Sequence, residues 1–148
     1  RPTVLITGAG GQLGGAVVAH FQQRGARLVL LDRHAEALRE RLGGDVLAVQ
    51  ADLLDRAQVA ARVGAALDAA GRIDVLCHLA GGFHMGEPVH ETPADAWERM
   101  MNLNARSLIH VAAAVVPRMI AQGAGRIVTV GAAGAQKGGA DMGAYAAS

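Results

Sequence analysis

The stretch "TVLITGAGGQLGGAVVAHFQQRG" (3–25) decides the fold of this chain of 148 residues. Its first five residues are apolar or β-branched and predict a strand over 3–7, which the following glycines would end. Apolar residues then recur at helical spacing up to Gly25, so we predict a helix over 12–25. A strand, a glycine turn and a helix form the first unit of an α/β sheet.

The alternation of strand and helix continues along the chain. We predict further strands over 26–32, 45–52, 72–82 and 125–134, and further helices over 35–44, 55–71, 92–123 and from Met142 onward. Strands that alternate with long helices pair in parallel through right-handed crossovers. The sequence therefore predicts a doubly wound parallel sheet covered by helices on both faces, within one domain over 1–148.

Several helix ends have residues that are typical of caps. We expect Asp55 to cap the helix that ends at Gly71. Thr92 is expected to cap the long helical run, with Pro93 at its first helical position. Pro117 lies late in that run and is expected to bend or interrupt it.

Composition limits the classes of partner. The hydrophobic content of 51% supports a substantial core, and 14 basic against 13 acidic residues give no field that would attract nucleic acid or an anionic membrane. Cys77 is the only cysteine, which fits a reducing compartment, and we interpret it as a buried apolar residue. No signal-peptide pattern and no long apolar run is present, so we expect a cytoplasmic protein.

The segment "TGAGGQLG" (7–14) has the features of a dinucleotide-binding turn. Its glycines would let the backbone approach a pyrophosphate, and the N–H groups at the start of the next helix would point at the negative charge. The residues of this turn that we expect to bind the cofactor are Gly8, Gly10, Gly11, Gln12, Leu13 and Gly14. The alternative is a plain glycine turn beside a surface aspartate.

Asp32 ends the second predicted strand, 18 residues after Gly14. A carboxylate there can accept hydrogen bonds from the adenosine ribose hydroxyls and would repel the 2′-phosphate of NADP, which favours NAD. Arg33 could instead bind that phosphate, so NADP stays open. Asp52 and the Leu53 backbone, after the third strand, are candidates for contacting adenine; a helix-capping role is the alternative for Asp52.

With these features the chain resembles the short-chain dehydrogenase/reductase family along all 148 residues. The family's compact branch has TGxxxGxG after the first strand, NNAG after the fourth, an asparagine in the long helix, then a serine and a YxxxK motif. The corresponding positions here are "TGAGGQLG" (7–14), "HLAG" (78–81), Asn104, Ala132 and Tyr145. The resemblance implies a Rossmann fold and an NAD(P)(H)-dependent oxidoreductase.

The resemblance assigns catalytic roles to Asn104 and Tyr145. They are 41 residues apart, the spacing that the family expects, whereas choosing Asn102 would break this register. In the family the tyrosine exchanges a proton with the substrate, the asparagine steadies the helix and its proton path, and a lysine four residues after the tyrosine supports the transfer. That lysine would be residue 149, so we expect this sequence to be the N-terminal part of a longer domain.

Three positions depart from the family pattern. Gln12 replaces the middle glycine and leaves TGxxGxxG, the spacing of the family's extended and atypical branches. Residues 78 and 79 are not asparagines, although Ala80 and Gly81, which would let the cofactor lie against the strand end, are kept. Ala132 replaces the serine that binds the substrate carbonyl, which would weaken its polarisation.

The quinoid dihydropteridine reductases are similar in several of these respects. They have a GxxGxxG turn, an aspartate after the second strand, a glycine pair followed by an aromatic residue, and a small residue at the serine position. The matching residues after the fourth strand here are "AGGF" (80–83). Because those reductases are active, Ala132 does not imply loss of activity.

Other polar residues are weaker candidates. The six histidines show no i, i+4 pair with a carboxylate and no cysteine pair accompanies them, so no metal site is predicted. His84 and His90 follow the fourth strand near the expected substrate position, or are simply exposed loop residues. Lys137 precedes Tyr145 in a glycine-rich loop and is not expected to replace the missing lysine.

The sequence thus predicts hydride transfer between nicotinamide and a carbonyl, alcohol or C=N group of a small molecule. Two alternatives stay open: a nucleotide-sensing protein that has lost catalysis, and an extended-branch sugar-nucleotide epimerase or reductase. By resemblance alone, we expect a homodimer or homotetramer.

Overall fold

The computed structural model describes residues 1–43 and 46–148. The predicted glycine end of the second helix at Gly44 and the predicted start of the third strand at Asp45 lie outside the described residues. The strands are β1 (Thr3–Thr7), β2 (Arg27–Asp32), β3 (Val46–Gln50), β4 (Val75–His78) and β5 (Arg126–Thr129). The α-helices are α1 (Gln12–Gln23), α2 (Ala35–Leu42), α3 (Arg56–Ala70), α4 (Ala94–Met100), α5 (Ser107–Gln122), α6 (Gly134–Lys137) and α7 (Gly143–Ala147).

The five strands form one parallel sheet in the order β3-β2-β1-β4-β5. The chain runs outward from β1 in one direction and then returns to add β4 on the other side. In such sheets a crevice opens between the two central strands at their carboxyl ends, and ligands bind there. The predicted doubly wound fold is confirmed, and the crevice lies between β1 and β4.

Side chains of the central strands alternate between two cores. Leu5 of β1 is fully buried with Leu67 of α3 and Val111 of α5 on one face of the sheet. Its neighbours Val4 and Ile6 are equally buried on the other face, in the cluster that includes residues of α1 and α2. A parallel sheet with both faces covered requires apolar residues at successive positions, which explains the continuous apolar run in β1.

The long helical run differs from its prediction at Thr92, and Pro117 does not interrupt it. Pro93, not Thr92, occupies the N-cap position, because the extended Pro93 backbone presents its carbonyl to the Trp97 N–H at 3.1 Å. The α5 helix continues through Pro117, since the loss of one N–H is offset by the burial of the helix face against α3. The irregular part lies earlier: residues Met101–Arg106 form a π-helical turn, here called the π segment.

Other element boundaries also differ from the predictions. The predicted strand over 72–82 is paired only at Val75–His78, because the next N–H groups bond to a side chain instead of a strand. Asp52 lies two residues beyond the end of β3. Asp55 does cap α3, accepting from the Gln58 N–H at 3.0 Å, and Gly71 follows that helix in a left-handed conformation. The short α6 occupies part of the predicted loop.

The turn between β1 and α1 is packed so closely that it requires glycine at two positions. A Cβ added to Gly14 would overlap the carbonyl oxygen of Gly8, whereas Gly15 next to it has open space around its Cβ position. Gly8 itself has a φ of 66°, and an added Cβ would lie 2.9 Å from the backbone nitrogen of Ala80. The start of α1, the end of β1 and the segment after β4 therefore meet backbone to backbone.

This packing predicts different effects for two neighbouring substitutions. Gly14→Ala should lower the free energy of unfolding of the full-length protein by about 1–3 kcal/mol, since the Cβ must displace backbone. Gly15→Ala, the matched control, should be neutral or raise it by up to about 1 kcal/mol through helix propensity. Urea denaturation measures both, and equal midpoints for the two variants would contradict the packing described here.

Candidate active site

The predicted phosphate turn lies at the carboxyl end of β1, as the sequence implied. Gly11 is the N-cap residue of α1 and no side chain caps this helix, so its first N–H groups are not occupied by a capping side chain. Gln12 and Leu13 are exposed in the first turn, with 51% of Leu13 accessible. Such a helix start, with backbone brought close by Gly8 and Gly14, fits a pyrophosphate group.

Asp32 lies beside this turn at the end of β2. Its two carboxylate oxygens accept hydrogen bonds from the backbone N–H groups of Gly10 and His34, both at 2.9 Å. Asp32 lines a cavity of about 360 Å³, and His34 and Arg41 are also among its lining residues. Arg33 is exposed and is not one of the described residues that line this cavity. Each carboxylate oxygen keeps a second lone pair for a ligand.

Asp52 forms a local turn after β3. Its carboxylate accepts from the Leu54 N–H at 3.0 Å, and its own N–H donates to the side chain of Gln58 at 2.6 Å. The Leu53 carbonyl is 2.8 Å from a ring nitrogen of His110. The helix cap predicted as an alternative for Asp52 is made by Asp55 instead, and contact of Asp52 and Leu53 with adenine stays a prediction.

Buried polar side chains connect β1, β4 and α5 beneath the crevice. His78, only 4% exposed, has its Nδ1 3.0 Å from the Thr7 hydroxyl and its Nε2 3.1 Å from the Ser107 hydroxyl. The Thr7 hydroxyl also accepts from the N–H groups of Leu79 and Ala80 at 3.1 and 3.2 Å. Burial lowers the pKa of His78 to about 4. The imidazole is therefore neutral at physiological pH.

Asn104 lies in the π segment and binds the loop after β4. Its Oδ1 accepts from the Gly82 N–H at 2.7 Å, and its Nδ2 donates to the Gly82 carbonyl at 3.0 Å. The same Nδ2 donates to the Ser148 hydroxyl at 2.8 Å, which connects it to the helix of Tyr145. In the competing residue, Asn102, the side-chain oxygen is buried without a hydrogen-bond partner in the described structure. Asn104 is thus the asparagine that reaches the crevice.

Tyr145 lies on α7 and faces the same crevice as Asn104. A cavity of about 640 Å³ is lined by both residues together with Gly81 and Ala132. The ring of Phe83 packs edge-on against the Tyr145 ring, with 4.7 Å between centroids. The crevice therefore brings together the residues after β4, the asparagine and the tyrosine that the sequence placed in one site.

Other candidates from the sequence lie outside this cavity. The Nε2 atom of His84 lies 2.8 Å from a carboxylate oxygen of Glu87, and its Nδ1 atom lies 3.2 Å from the Arg99 guanidinium. His90 is exposed. Lys137 ends α6, ahead of Tyr145. Among residues 1–43 and 46–148, no group of three or more His, Cys, Asp or Glu side chains is placed to hold a metal ion. No helix in the described part of the chain is long and apolar enough to cross a bilayer.

Sequence reasoning missed three parts of this site. It did not place His34 and Arg41 beside Asp32, although a helical period starting at residue 35 would have brought 37, 38 and 41 to one face. It noted His78 only as a departure from a motif. The partner of His78, Ser107, is 29 residues away and gave no local indication of the contact.

The fold, the glycine turn and the crevice define an α/β protein of the Rossmann class. The family model described as short chain dehydrogenase matches residues 2–148. The chain therefore belongs to the short-chain dehydrogenase family.

Individual relatives support this assignment. The chain is 36% identical over 135 residues to 2-(R)-hydroxypropyl-CoM dehydrogenase of Xanthobacter autotrophicus, covering 85% of this chain and 54% of that protein. It is 35% identical over 132 residues to the NADP-dependent 3-hydroxy acid dehydrogenase YdfG of Salmonella typhi, covering 86% and 53%. The chain thus spans about half the length of the curated relatives it matches.

A solved structure agrees closely in fold. The crystal structure of 3-ketoacyl-(acyl-carrier-protein) reductase from Brucella melitensis complexed with NADH superimposes with a TM-score of 0.89 at 30% identity. The match covers 99% of this chain and 63% of that chain.

The pKa of His78 predicts a pH-dependent stability. His78 titrates near 6.5 when unfolded but near 4 when folded, so the unfolded chain binds more protons between these values. The contribution of neutral His78 is complete above about 6.5 and is lost as the pH falls toward 4, by up to about 3 kcal/mol. In urea denaturation of the full-length protein, His78→Asn should flatten this dependence between pH 7 and 4.5 by about 2–3 kcal/mol. Identical pH dependence in both proteins would show that His78 is not held neutral.

Proposed function

We propose that the full-length protein transfers hydride between a nicotinamide cofactor and a carbonyl, alcohol or C=N group of a small molecule, with Tyr145 as the proton donor or acceptor. The observation that supports this most directly is the single cavity lined by Gly81, Asn104 and Tyr145 at the carboxyl edge of the sheet. Membership of the family supports the same conclusion.

In this proposal the chain binds a dinucleotide across the crevice. The backbone around Gly8, Gly11 and Gly14, together with Gly10, Gln12 and Leu13, would bind the pyrophosphate at the start of α1. Asp32 would accept from the adenosine ribose, and the segment at Ala80 and Gly81 would support the nicotinamide end. Asp52 and the Leu53 backbone would lie near adenine.

The cofactor supplies or accepts the hydride, and residues of the chain donate or accept the proton. Tyr145 lines the cavity, and its hydroxyl would give a proton to the substrate oxygen or nitrogen during reduction and take it back during oxidation. Asn104 would hold the helix of Tyr145 through Ser148 and keep the loop at Gly82 in place. Ala132 offers no donor, so Tyr145 would polarise the substrate alone.

Replacement of the proton donor tests this role. Tyr145→Phe in the full-length protein should lower kcat about 100-fold or more, because it removes only the hydroxyl, while the Kd for NADH stays close to that of the parent. Activity is measured as nicotinamide absorbance loss with a panel of ketones, conjugated carbonyl compounds and a quinonoid dihydropterin. Lys137→Ala is the control, expected to retain the parent rate.

The result also separates the alternatives. Turnover that persists in Tyr145→Phe would contradict the proposed mechanism. A parent protein that binds NADH but reduces none of these compounds would favour the nucleotide-sensing alternative. Binding of a sugar nucleotide by the parent protein would favour the extended-branch epimerase or reductase.

We propose NAD as the preferred cofactor, because the carboxylate of Asp32 lines the cavity where a 2′-phosphate would lie. Arg41 in the same cavity supplies positive charge that could offset this repulsion, and relatives include both an NADH complex and an NADP-dependent enzyme. The Asp32 carboxylate would repel a 2′-phosphate and the Arg41 guanidinium would attract it, so the balance between these two interactions decides the preference for NAD or NADP.

Titration with both nucleotides measures this balance. NADH should bind the parent protein more tightly than NADPH, and Asp32→Asn should improve NADPH binding relative to NADH by about tenfold, since it removes one unit of negative charge. Glu36→Gln, an exposed charge change at the start of the next helix, is the control and should leave the ratio unchanged. A parent preference for NADPH would reverse the assignment.

Assembly into a homodimer or homotetramer is part of the same proposal. Ile109 and Ile120 of α5 are 61% and 74% exposed, which supports a helix face that packs against another subunit.

A further inference from the structure

The buried His78 has no part in the proposed hydride or proton transfer, yet both of its ring nitrogens are used. The hydroxyls of Thr7 and Ser107 lie within 3.1 Å of them, and all three side chains are at most 4% exposed. Buried polar groups are retained only when they are satisfied, and this one joins three separate elements. It occupies the position where the family motif has an asparagine.

The surrounding hydrogen bonds determine where each proton of this group lies. The Thr7 hydroxyl already accepts from two backbone N–H groups, those of Leu79 and Ala80, so its own hydrogen is directed to Nδ1 of His78. The Ser107 hydroxyl donates to the carbonyl of Leu103 at 2.6 Å, so it accepts from Nε2. His78 is therefore neutral with its hydrogen on Nε2, as burial also favours.

The last of these bonds ends inside the π segment. Leu103 directly precedes Asn104. A π turn changes the usual backbone hydrogen bonds of its carbonyl groups, and the Ser107 hydroxyl provides a side-chain donor for the Leu103 carbonyl. Ser107 thus anchors the backbone one residue from the carboxamide that binds Gly82.

Together the bonds form a closed circuit of contacts that reaches the cavity, because His78, Gly82 and Asn104 line it. From Thr7 the circuit passes through His78 and Ser107 to the π segment, and Asn104 then returns it to Gly82 in the loop after β4. The N–H of Ala80, in that same loop, donates to Thr7 and closes the circuit. No side chain of this group can rotate without breaking a hydrogen bond, and the two bonds of His78 are buried.

We propose that His78 and Ser107 are positioning residues that hold Asn104 in its catalytic orientation through the π segment. This inference rests on the proposed role of Asn104 in the proton path. His78 and Ser107 contact neither substrate nor cofactor in this scheme and act only through Asn104.

A double-mutant cycle on the full-length protein tests the coupling. Ser107→Ala should lower kcat by about 10- to 100-fold, the effect of a misplaced catalytic group, with the Kd for NADH changed less than about twofold. The double variant Ser107→Ala/Asn104→Ala should be no slower than Asn104→Ala alone, because both changes remove the same contribution. Val115→Ala, a buried change farther along α5, is the control, and its effect should multiply with that of Asn104→Ala.

Two variants of His78 give a second, independent comparison. The amide of His78→Gln can reach the position of Nε2 and donate to Ser107, whereas the shorter amide of His78→Asn reaches only toward Thr7. We expect His78→Gln to keep more of the parent kcat than His78→Asn at matched thermal stability. Nitrogen NMR of the parent should show the neutral tautomer with hydrogen on Nε2.

Each outcome has a definite meaning. Multiplicative effects of Ser107→Ala and Asn104→Ala would overturn the inference while leaving the proposed function intact, and so would a hydrogen on Nδ1. Unchanged kcat in Asn104→Ala would remove the proposed role of Asn104 and this inference with it. If Ser107→Ala does not fold, the His78 pair and the tautomer decide the question.

Discussion

Backbone packing at the turn between β1 and α1 is the constraint on which the rest of the structure depends. The Gly8 carbonyl occupies the space that a side chain at residue 14 would need, and Gly8 lies against the backbone of Ala80. This contact sets how close α1 lies to the sheet and how the chain leaves β4. The start of α1, which no side chain caps, and the cavity of Tyr145 therefore lie on the same edge of the sheet.

The turn and the alternating pattern could be predicted from the sequence because both depend on local chemistry. Gly14 is required by a contact with Gly8, six residues away, Gly8 itself has a positive φ, and Asp55 caps a helix three residues away. Strand ends were harder to predict. The apolar run after His78 continues as before, but strand pairing stops there because the Thr7 hydroxyl binds the next two N–H groups.

The parts of the site that could not be predicted depend on long-range contacts. Asn104 and Tyr145 were placed by resemblance and spacing, and the structure brings them to one cavity. The carboxamide bonds of Asn104 to Gly82 and the bond between His78 and Ser107 join residues 22 and 29 positions apart. Such partners depend on tertiary packing, and hydrophobic periodicity in the sequence does not predict them.

The lining of the cavity suggests how chemistry and selectivity are divided in the proposed enzyme. Asn104, Tyr145 and Ser148 contribute polar groups to the lining, whereas Ala132 and Phe83 contribute apolar surface. The Phe83 ring restricts where the Tyr145 ring can lie. In the proposed enzyme, a single proton donor beside apolar surface would suit substrates whose reactive group is already conjugated, because these need less polarisation.

The π segment has a geometric consequence for the helical run from α4 to α5. A π turn holds one residue more than the α-helical turn it replaces, and one residue corresponds to a rotation of about 100° around the axis. The helix after the turn is thus shifted in rotational phase relative to the helix before it. Ala96 and Met100 are buried on one side of α4, whereas Val111, Val115 and Met119 of α5 face α3. Because of the π turn, the direction of one buried face does not determine the direction of the other. Because Asn104 lies in the π segment, its side chain can point to the crevice without following the helical spacing of the buried residues in α4 and α5.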